Sequence, residues 1–252
     1  MQFLKLTRSL LLCAAAFAQT PAFEEASIKP AKPGASGAPF QLTAAGGFMA
    51  TRITVSTLVQ MSYGKKSFLI HGLPAWAENE EWAIIATATP STPPVNPSVI
   101  DDDFRTRLKG LLASRFQMKS HTERRELPVY VLVVAKGGPR FPQPDGKPFR
   151  LLRTGGGAIV HQGAAKISML VSLLANDFDR PVLDETGLTG AYNLNLKWTP
   201  DLKPGAPTSA TTDPAGPSLF TALEEQLGLK LQAARRPIES LMIDHIDRPT
   251  EN

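Results

Sequence analysis

The sequence predicts an α+β fold of two tandem repeated units, each made of small mixed or antiparallel sheets with helices packed on one face. Three observations predict this class. Short strand-like runs are interrupted by single amphipathic helical patterns. These patterns occur twice in the same order along the chain. The length of 252 residues also suits two domains of ordinary size.

Each unit is predicted to run hairpin, helix, strand, strand, linker, helix, strand, strand. Glycines in the two hairpin turns supply the backbone freedom that a tight turn needs. The first unit spans 38–136, and its elements are placed at 40–51, 53–61, 81–90, 104–116, 117–124 and 129–135. The second unit spans 149–252, and its elements are placed at 149–161, 167–174, 191–200, 219–227, 230–234 and 240–246. Residues 19–37 are assigned to an N-terminal strand with its lead-in, and 137–148 to a linker rich in Pro and Gly.

The second helix of each unit has clear apolar periodicity. Asp101, Asp102 and Asp103 place negative charge at the start of the first of these helices, where the helix dipole favours it. Its apolar stripe comprises Phe104, Leu108, Leu111, Leu112 and Phe116. The corresponding stripe of the second unit comprises Leu219, Phe220, Leu223 and Leu227, with Ser218 before it and Gly228 after it. Both stripes are expected to face a sheet.

Residues 1–18 have the order typical of a secretory signal peptide. Lys5 and Arg8 give the positive start, an apolar stretch follows, and Ala16 and Ala18 are small residues where a signal peptidase reads. The alternative is a short buried first helix. We expect cleavage after Ala18 and export, either to the periplasm or out of the cell.

Charge and cysteine content argue against several classes of function. Lys and Arg number 27 against 23 Asp and Glu, and two of the basic residues lie in the predicted signal peptide. A nearly neutral mature chain without dense basic clusters disfavours nucleic-acid binding. The single cysteine, Cys13, lies in the same segment, so we expect neither disulfides nor thiolate chemistry in the mature chain. No apolar run reaches the ~18 residues of a transmembrane helix.

Four separated motifs carry a family resemblance. They are residues 23–30, 125–130 with 133–139, 184–192 and 218–229. In this order they resemble the Solibacter-type family of conserved hypothetical exported proteins, a domain of unknown function expanded in soil acidobacteria. The chain departs from the family in having Glu25 in place of valine, and Asn193 where an aspartate commonly follows the tyrosine. Similar domains attached to membrane zinc peptidases imply an extracytoplasmic sensing or docking role.

Each half is also similar to the short N-terminal domains of secretins and TonB-dependent receptors. The match is best over residues 223–231 together with 241–243. Those domains are small protein-contact modules. The resemblance therefore implies contact with another protein, although a fold does not fix a function.

The sharpest candidate for catalysis is His245 with Asp247 on the last predicted strand. Alternate residues of a strand share a face, so His245 should lie beside Asp247 rather than beside Asp244. Such a pair could orient an acid-base imidazole, or it could be an exposed ion pair. The histidines at 71, 121, 161 and 245 lack the helical spacing of a zinc motif, so no metal site is predicted.

Other candidate motifs have simpler structural interpretations. The glycines at 154–157 could cradle an anion, but no helix follows at once, and a hairpin turn explains them better. Paired carboxylates for glycoside cleavage could come from Glu123, Glu126, Asp184 and Glu185, which are interpreted as surface charges. No Gly-x-Ser-x-Gly or Ser-x-x-Lys context supports a serine nucleophile.

Trp76, Trp82 and Trp198 fall in or beside equivalent strands of the two predicted units. They could pack in the cores or line a shared apolar groove that serves as an interaction surface. Exposed sheet edges could also accept the strand of a partner.

The sequence therefore favours an exported binding or protein-interaction module without catalytic residues or cofactors. Its partner would be a protein or another component of the cell envelope. Two alternatives stay open. One is an exported hydrolase acting on envelope or environmental polymers, and the other is an extracytoplasmic sensor domain.

Overall fold

The computed structural model describes residues 21–32, 34, 40–88, 100–142, 149–153, 159–199 and 216–249. Over these residues the chain is a mixture of helices and small sheets, which confirms the predicted α+β class. The predicted features outside the described residues include the signal peptide at 1–18, the part of the Pro- and Gly-rich linker at 143–148 and the glycine turn at 154–157. None of the described helices is long and apolar enough to cross a membrane.

The chain divides into two compact units. Unit 1 contains the described residues up to Thr122 together with those from Leu241 onward, and unit 2 contains Glu123–Ser240. The chain leaves unit 1 within strand β6 (Lys119–Val134) and returns to it within strand β11 (Leu229–His245). The internal duplication and its boundaries at 38–136 and 149–252 stay predictions.

Unit 1 is built on a sheet with the strand order β1-β5-β3-β2. Its strands are β1 (Glu25–Pro30), β2 (Gln41–Leu42), β3 (Phe48–Thr54) and β5 (Glu81–Thr87), and all pair antiparallel. Its helices are α1 (Val55–Tyr63), α2 (Ala75–Asn79) and α3 (Asp102–Arg115). A 3₁₀ turn at Ser67–Leu69 leads to β4 (Ile70–His71), which pairs in parallel with β11.

Local sequence explains these elements. In β5, Trp82 and Ile84 point into the core while Ile85 faces out, as the period of two requires. Helix α1 begins at Thr54, whose Oγ1 accepts a hydrogen bond from Thr57 N at 3.2 Å. The predicted stripe of α3, from Phe104 to Phe116, is buried against this sheet.

Unit 2 contains a sheet with the order β10-β8-β7. Its strands are β7 (Arg150–Arg153), β8 (Ile159–Lys166) and β10 (Ala191–Trp198), and all pair antiparallel. Strand β9 (Val182–Asp184) belongs to a different sheet, in which it pairs in parallel with β6. Helix α4 spans Ile167–Leu174. Helix α5 (Leu219–Ala222) continues into a π-helical turn, Leu223–Leu227, that ends at Gly228.

The prediction of two separate strands at the end of each unit is wrong. Residues 119–134 form one strand and residues 229–245 form another, and the two are neighbours in the sheet order β4-β11-β6-β9. The stretches between the predicted strands hold exposed charged residues and a proline each, Pro128 and Pro237. Backbone hydrogen bonds hold a strand together even where both of its faces are exposed. Such a stretch does not alternate apolar with polar residues, so its sequence gives no sign that the strand continues.

Candidate functional site

Three aromatic side chains form a partly exposed cluster on unit 2. Tyr130 lies on β6, Phe178 in the loop after α4, and Phe220 in α5. The ring centroids of Tyr130 and Phe178 are 4.8 Å apart, and that of Phe220 lies 5.5 Å from Tyr130 and 5.7 Å from Phe178. Phe220 is 42% exposed, and the other two are half-buried. These three residues are called the aromatic surface below.

Phe220 faces outward because of its place in the helix. Ser218 caps the helix, and its Oγ accepts a hydrogen bond from Thr221 N at 3.3 Å. Leu219 and Leu223 point into the core of unit 2. A residue one position after Leu219 is rotated by ~100° around the helix axis and leaves the buried face. The prediction that Phe220 belongs to the buried apolar stripe was therefore wrong. Its place directly after Leu219 in the sequence was the one sign that its ring would be exposed.

Strand β9 brings Phe178 to Tyr130. Val182, the first residue of β9, stands opposite Tyr130 in the parallel pair. Tyr130 N also donates a hydrogen bond to Pro181 O at 2.8 Å. The loop that carries Phe178 is thus fixed to β6 by backbone contacts, and these contacts hold the ring of Phe178 beside that of Tyr130.

An arginine covers part of the aromatic surface. The Arg180 guanidinium lies 5.2 Å from the ring centroid of Tyr130. It also donates two hydrogen bonds to the Asp179 carboxylate, at 2.8 and 3.2 Å, and these lower the pKa of Asp179. The cation position over Tyr130 is therefore filled by the protein itself. The surface left for a partner consists of apolar ring edges bordered by an ion pair.

A groove of about 440 Å³ adjoins the aromatic surface at Phe220. It is lined by Arg140, Phe220, Thr221, Glu224, Glu225, Lys230 and Leu231. Each basic side chain has an acidic residue beside it: Lys230 Nζ lies 3.7 Å from Glu224 Oε2, and Arg140 Nη1 donates to the backbone oxygen of Glu225 at 3.2 Å. This lining includes no histidine, cysteine or serine. It offers contact to an apolar group flanked by charges, and it contains the carboxylates of Glu224 and Glu225.

Two of the family-like motifs meet at the end of the helix that forms this groove. Arg140 N donates to Leu227 O at 2.8 Å, and Ala135 N donates to Gly228 O at 2.9 Å. The 135–140 segment thereby satisfies carbonyl groups at the C-terminus of the helix. Gly228 has a φ of 64°, and a Cβ at this position would clash with the backbone oxygen of Gly138. The motifs at 133–139 and 218–229 are thus joined by close backbone packing.

The predicted pair His245 and Asp247 does lie together on unit 1. His245 Nε2 is 3.0 Å from Asp247 Oδ2, and the two side chains are 50% and 58% exposed. Asp244 is instead paired with His121, whose Nδ1 lies 2.9 Å from an Asp244 carboxylate oxygen. Within the described residues no group of three or more His, Cys, Asp or Glu side chains could hold a metal ion. Exposed pairs of this kind contribute ~0–1 kcal/mol, and a catalytic role for His245 stays the untested alternative to an ion pair.

Three of the four predicted carboxylates, those of Asp184, Glu185 and Glu123, have partners nearby, and Glu126 is held through its backbone oxygen. Asp184 Oδ1 accepts hydrogen bonds from Thr186 N at 3.0 Å and from Thr186 Oγ1 at 2.7 Å, which forms a turn. The Glu185 carboxylate accepts two hydrogen bonds from the guanidinium group of Arg236, at 3.0 and 3.1 Å. Glu123 pairs with Arg125, and the backbone oxygen of Glu126 accepts from Arg235. These contacts fit turn and ion-pair roles.

Two of the three tryptophans are packing residues. Trp82 is 5% exposed in the core of unit 1, and Trp198 is 2% exposed in the core of unit 2. Each occupies an inward position of its strand, so neither is available to an interaction surface. Trp76 is half-buried, and the Arg248 guanidinium lies 5.1 Å from its ring centroid. The aromatic surface of unit 2 was not among the predicted sites.

Comparison with known proteins places the chain in a family. A family model described as a protein of unknown function, DUF3738, matches residues 56–246. No curated protein and no solved structure matches the chain. The match covers most of both units, including the aromatic surface and the groove. The chain therefore belongs to the DUF3738 family of proteins of unknown function.

Proposed function

We propose that the protein is exported and serves as a non-catalytic binding module of the cell envelope, which contacts a protein partner through the aromatic surface of unit 2. The observation that carries this proposal is the exposed cluster of Tyr130, Phe178 and Phe220 beside a groove. Aromatic and arginine side chains are enriched at protein interfaces and dominate their binding energy. The cluster and Arg180 provide both types.

The groove supports contact rather than turnover. Phe220 and Leu231 supply apolar lining. Of the charged residues around them, Lys230 stands beside Glu224, and Arg140 donates to the backbone oxygen of Glu225. A partner side chain that enters the groove would gain apolar contact, while the surrounding charges stay solvated at its rim. This division into an apolar centre and a polar rim is typical of interfaces.

The binding proposal is tested with Phe220→Ala. The chain from residue 19 onward is used as bait against an envelope extract, and the proteins retained by Phe220→Ala are compared with those retained by the native chain. We expect loss of one specific partner, because truncating an aromatic anchor commonly costs about 2 kcal/mol or more of binding free energy.

Ile85→Ala is the matched control, because Ile85 is 53% exposed and lies on unit 1. It removes a similar exposed apolar group and should leave partner capture unchanged. A photo-crosslinking residue introduced at position 220, but not at position 85, should form an adduct with the same partner. Equal retention by the native chain and Phe220→Ala would refute the proposed surface.

Export is tested separately. Residues 1–18 carry the features of a signal peptide, so protein recovered from the periplasm or the medium should begin at Gln19 when its N-terminus is measured by mass spectrometry. Ala18→Arg should block processing. Cytoplasmic protein that still begins at Met1 would contradict export. That result would not bear on the binding surface, which the Phe220→Ala experiment tests independently.

A further inference from the structure

Two opposite charges in the groove of unit 2 are not paired with each other. Lys230 and Glu224 form a loose pair there, with Nζ 3.7 Å from Oε2. The other two charged residues of the lining are Arg140 and Glu225. Over the described part of the chain, Arg140 Nη1 donates to the backbone oxygen of Glu225 rather than to its carboxylate, which accepts no hydrogen bond. One guanidinium and one carboxylate therefore remain available within the same groove.

The C-terminal end of the helical turn holds Arg140 in place. The backbone N of Arg140 donates to Leu227 O at 2.8 Å, and its Nη1 donates to Glu225 O at 3.2 Å. The second bond uses a single N–H of the guanidinium, which leaves the other N–H groups for a carboxylate of a ligand. A donor that is already fixed loses little freedom when a ligand binds, so Arg140 is prepared for such a contact.

The two available charges belong to residues that touch each other. The guanidinium of Arg140 contacts the backbone of Glu225, and both side chains line the groove. An α-amino acid carries its ammonium and its carboxylate on one carbon atom, so it needs an anionic and a cationic partner side by side. Arg140 and Glu225 meet this requirement.

The same groove has an apolar wall. Phe220 is 42% exposed, and Leu231, which is 6% exposed, forms part of the lining below it. The groove volume of about 440 Å³ lies within the range of small-molecule sites, about 300–1,000 Å³. An apolar or aromatic side chain would pack on the Phe220 ring and gain the energy of apolar burial.

We propose that this groove binds a free α-amino acid with an apolar side chain. Its carboxylate accepts hydrogen bonds from Arg140, its ammonium donates to the Glu225 carboxylate, and its side chain packs on Phe220. A ligand with a carboxylate alone would bring a like charge to Glu225, and a ligand with an ammonium alone would bring one to Arg140. The zwitterion matches both charges. This site goes beyond the proposed protein contact, because it needs no protein partner.

The test titrates L-phenylalanine into the chain from residue 19 onward and follows the backbone amide signals by NMR. The amides of Thr221, Glu225 and Leu231 should shift, with a Kd of about 1 mM for so small a ligand in an open groove. N-acetyl-L-phenylalanine lacks the ammonium, and L-phenylalaninamide lacks the carboxylate. Each should bind about tenfold more weakly or worse, because a charge-assisted hydrogen bond is lost. L-serine keeps both charges without the apolar side chain and should also bind more weakly.

Two variants assign the charged contacts separately. Glu225→Gln should weaken L-phenylalanine binding about tenfold and should no longer distinguish L-phenylalanine from its N-acetyl derivative, while it still rejects the amide. Arg140→Gln should show the reverse selectivity. A general distortion of the groove would not remove discrimination against one derivative alone. Arg236→Gln is the matched control, because it removes a guanidinium of unit 2 that binds Glu185 instead, and it should keep both affinity and selectivity.

The proposal is overturned if no amide of the groove shifts at up to about 20 mM L-phenylalanine, or if the three phenylalanine ligands bind equally. Unchanged selectivity in both Glu225→Gln and Arg140→Gln would overturn it as well. The titration contains no protein partner, so its failure would leave the partner capture tested with Phe220→Ala unaffected. Failure of that capture would likewise leave the titration unaffected.

Discussion

Arg248 makes a two-pronged surface contact on unit 1. Its Nη2 and Nε donate to the Glu80 carboxylate at 2.6 and 2.9 Å, and its guanidinium lies over the ring of Trp76. Asp247 N donates to Phe116 O at 2.8 Å next to it. Residues 247 and 248 thus fasten the end of the described chain to two other segments of the unit.

This contact predicts a pH dependence of stability. The hydrogen bonds from Arg248 lower the pKa of Glu80 from its ordinary value of 4.5, against a smaller opposing effect of desolvation. A lowered folded-state pKa stabilises the fold above about pH 4.5, and this contribution is lost as the pH falls through the folded-state pKa. The urea midpoint of Arg248→Ala should therefore lie further below that of the native chain at about pH 7 than at about pH 3.

Glu80→Gln provides the control, because it removes the titrating group and keeps the size of the side chain. Its midpoint should also approach the native midpoint at low pH. A difference between native chain and Arg248→Ala that does not change with pH would mean that Trp76 packing, rather than the ion pair, carries the effect.

At the scale of the element, two glycines in helices have opposite surroundings. Gly228 ends the π-helical turn with a φ of 64°, and an added Cβ would clash with Gly138 O. Gly110 lies within α3, and an added Cβ there would meet no atom within 4 Å apart from the backbone of its own helix turn and its chain neighbours. One position needs glycine, and the other accepts a side chain.

Alanine at these positions should change stability in opposite directions. Gly228→Ala should lower the free energy of unfolding by about 1–3 kcal/mol through strain and the forced movement of 138–139. Gly110→Ala should raise it by about 0.5–1 kcal/mol, because alanine restricts the unfolded chain and favours the helix. Urea denaturation of both variants provides the measurement, and similar effects of the two would disprove this account.

Elements with a local signal were predictable. Helix α3 has an acidic start and a continuous stripe, and β5 alternates, so both appear near their predicted places. Strands β6 and β11 were predicted in pieces because their exposed central parts lack alternation. Phe220 faces outward because it lies one position after the buried Leu219 in a short helix. Phe178 reaches Tyr130 and Phe220 only because β9 pairs with β6. Contacts between segments that are distant in the sequence leave no local periodicity, so the aromatic surface could not be predicted.

At the scale of the whole molecule, unit 1 takes side chains from both ends of the described chain. Leu241 and Ile243 on β11 are buried in the same core as Ile28 and Phe48. Unit 2 consists of the segment between them, Glu123–Ser240. The stability of unit 1 should therefore depend on residues that follow unit 2 in the sequence.

Ile243→Ala tests this dependence. It should destabilise unit 1 by about 2–4 kcal/mol, and Ile243→Val by about 0.5–1.5 kcal/mol, because each removes buried methyl groups. In a Trp198→Phe background, fluorescence reports on Trp76 and Trp82 of unit 1. Their unfolding midpoint should fall in the order native, valine, alanine. An unchanged midpoint would show that Ile243 does not support this core.

The division of unit 1 between two stretches of chain affects how the protein is made. A ribosome delivers residues in order, so Leu241 and Ile243 emerge only after all of unit 2 has been synthesised. Until then, the nascent first unit lacks part of its hydrophobic interior and exposes apolar surface to proteases and chaperones. Premature termination near residue 240 would accordingly leave the earliest-made half incomplete, although every residue of Glu123–Ser240 would be present.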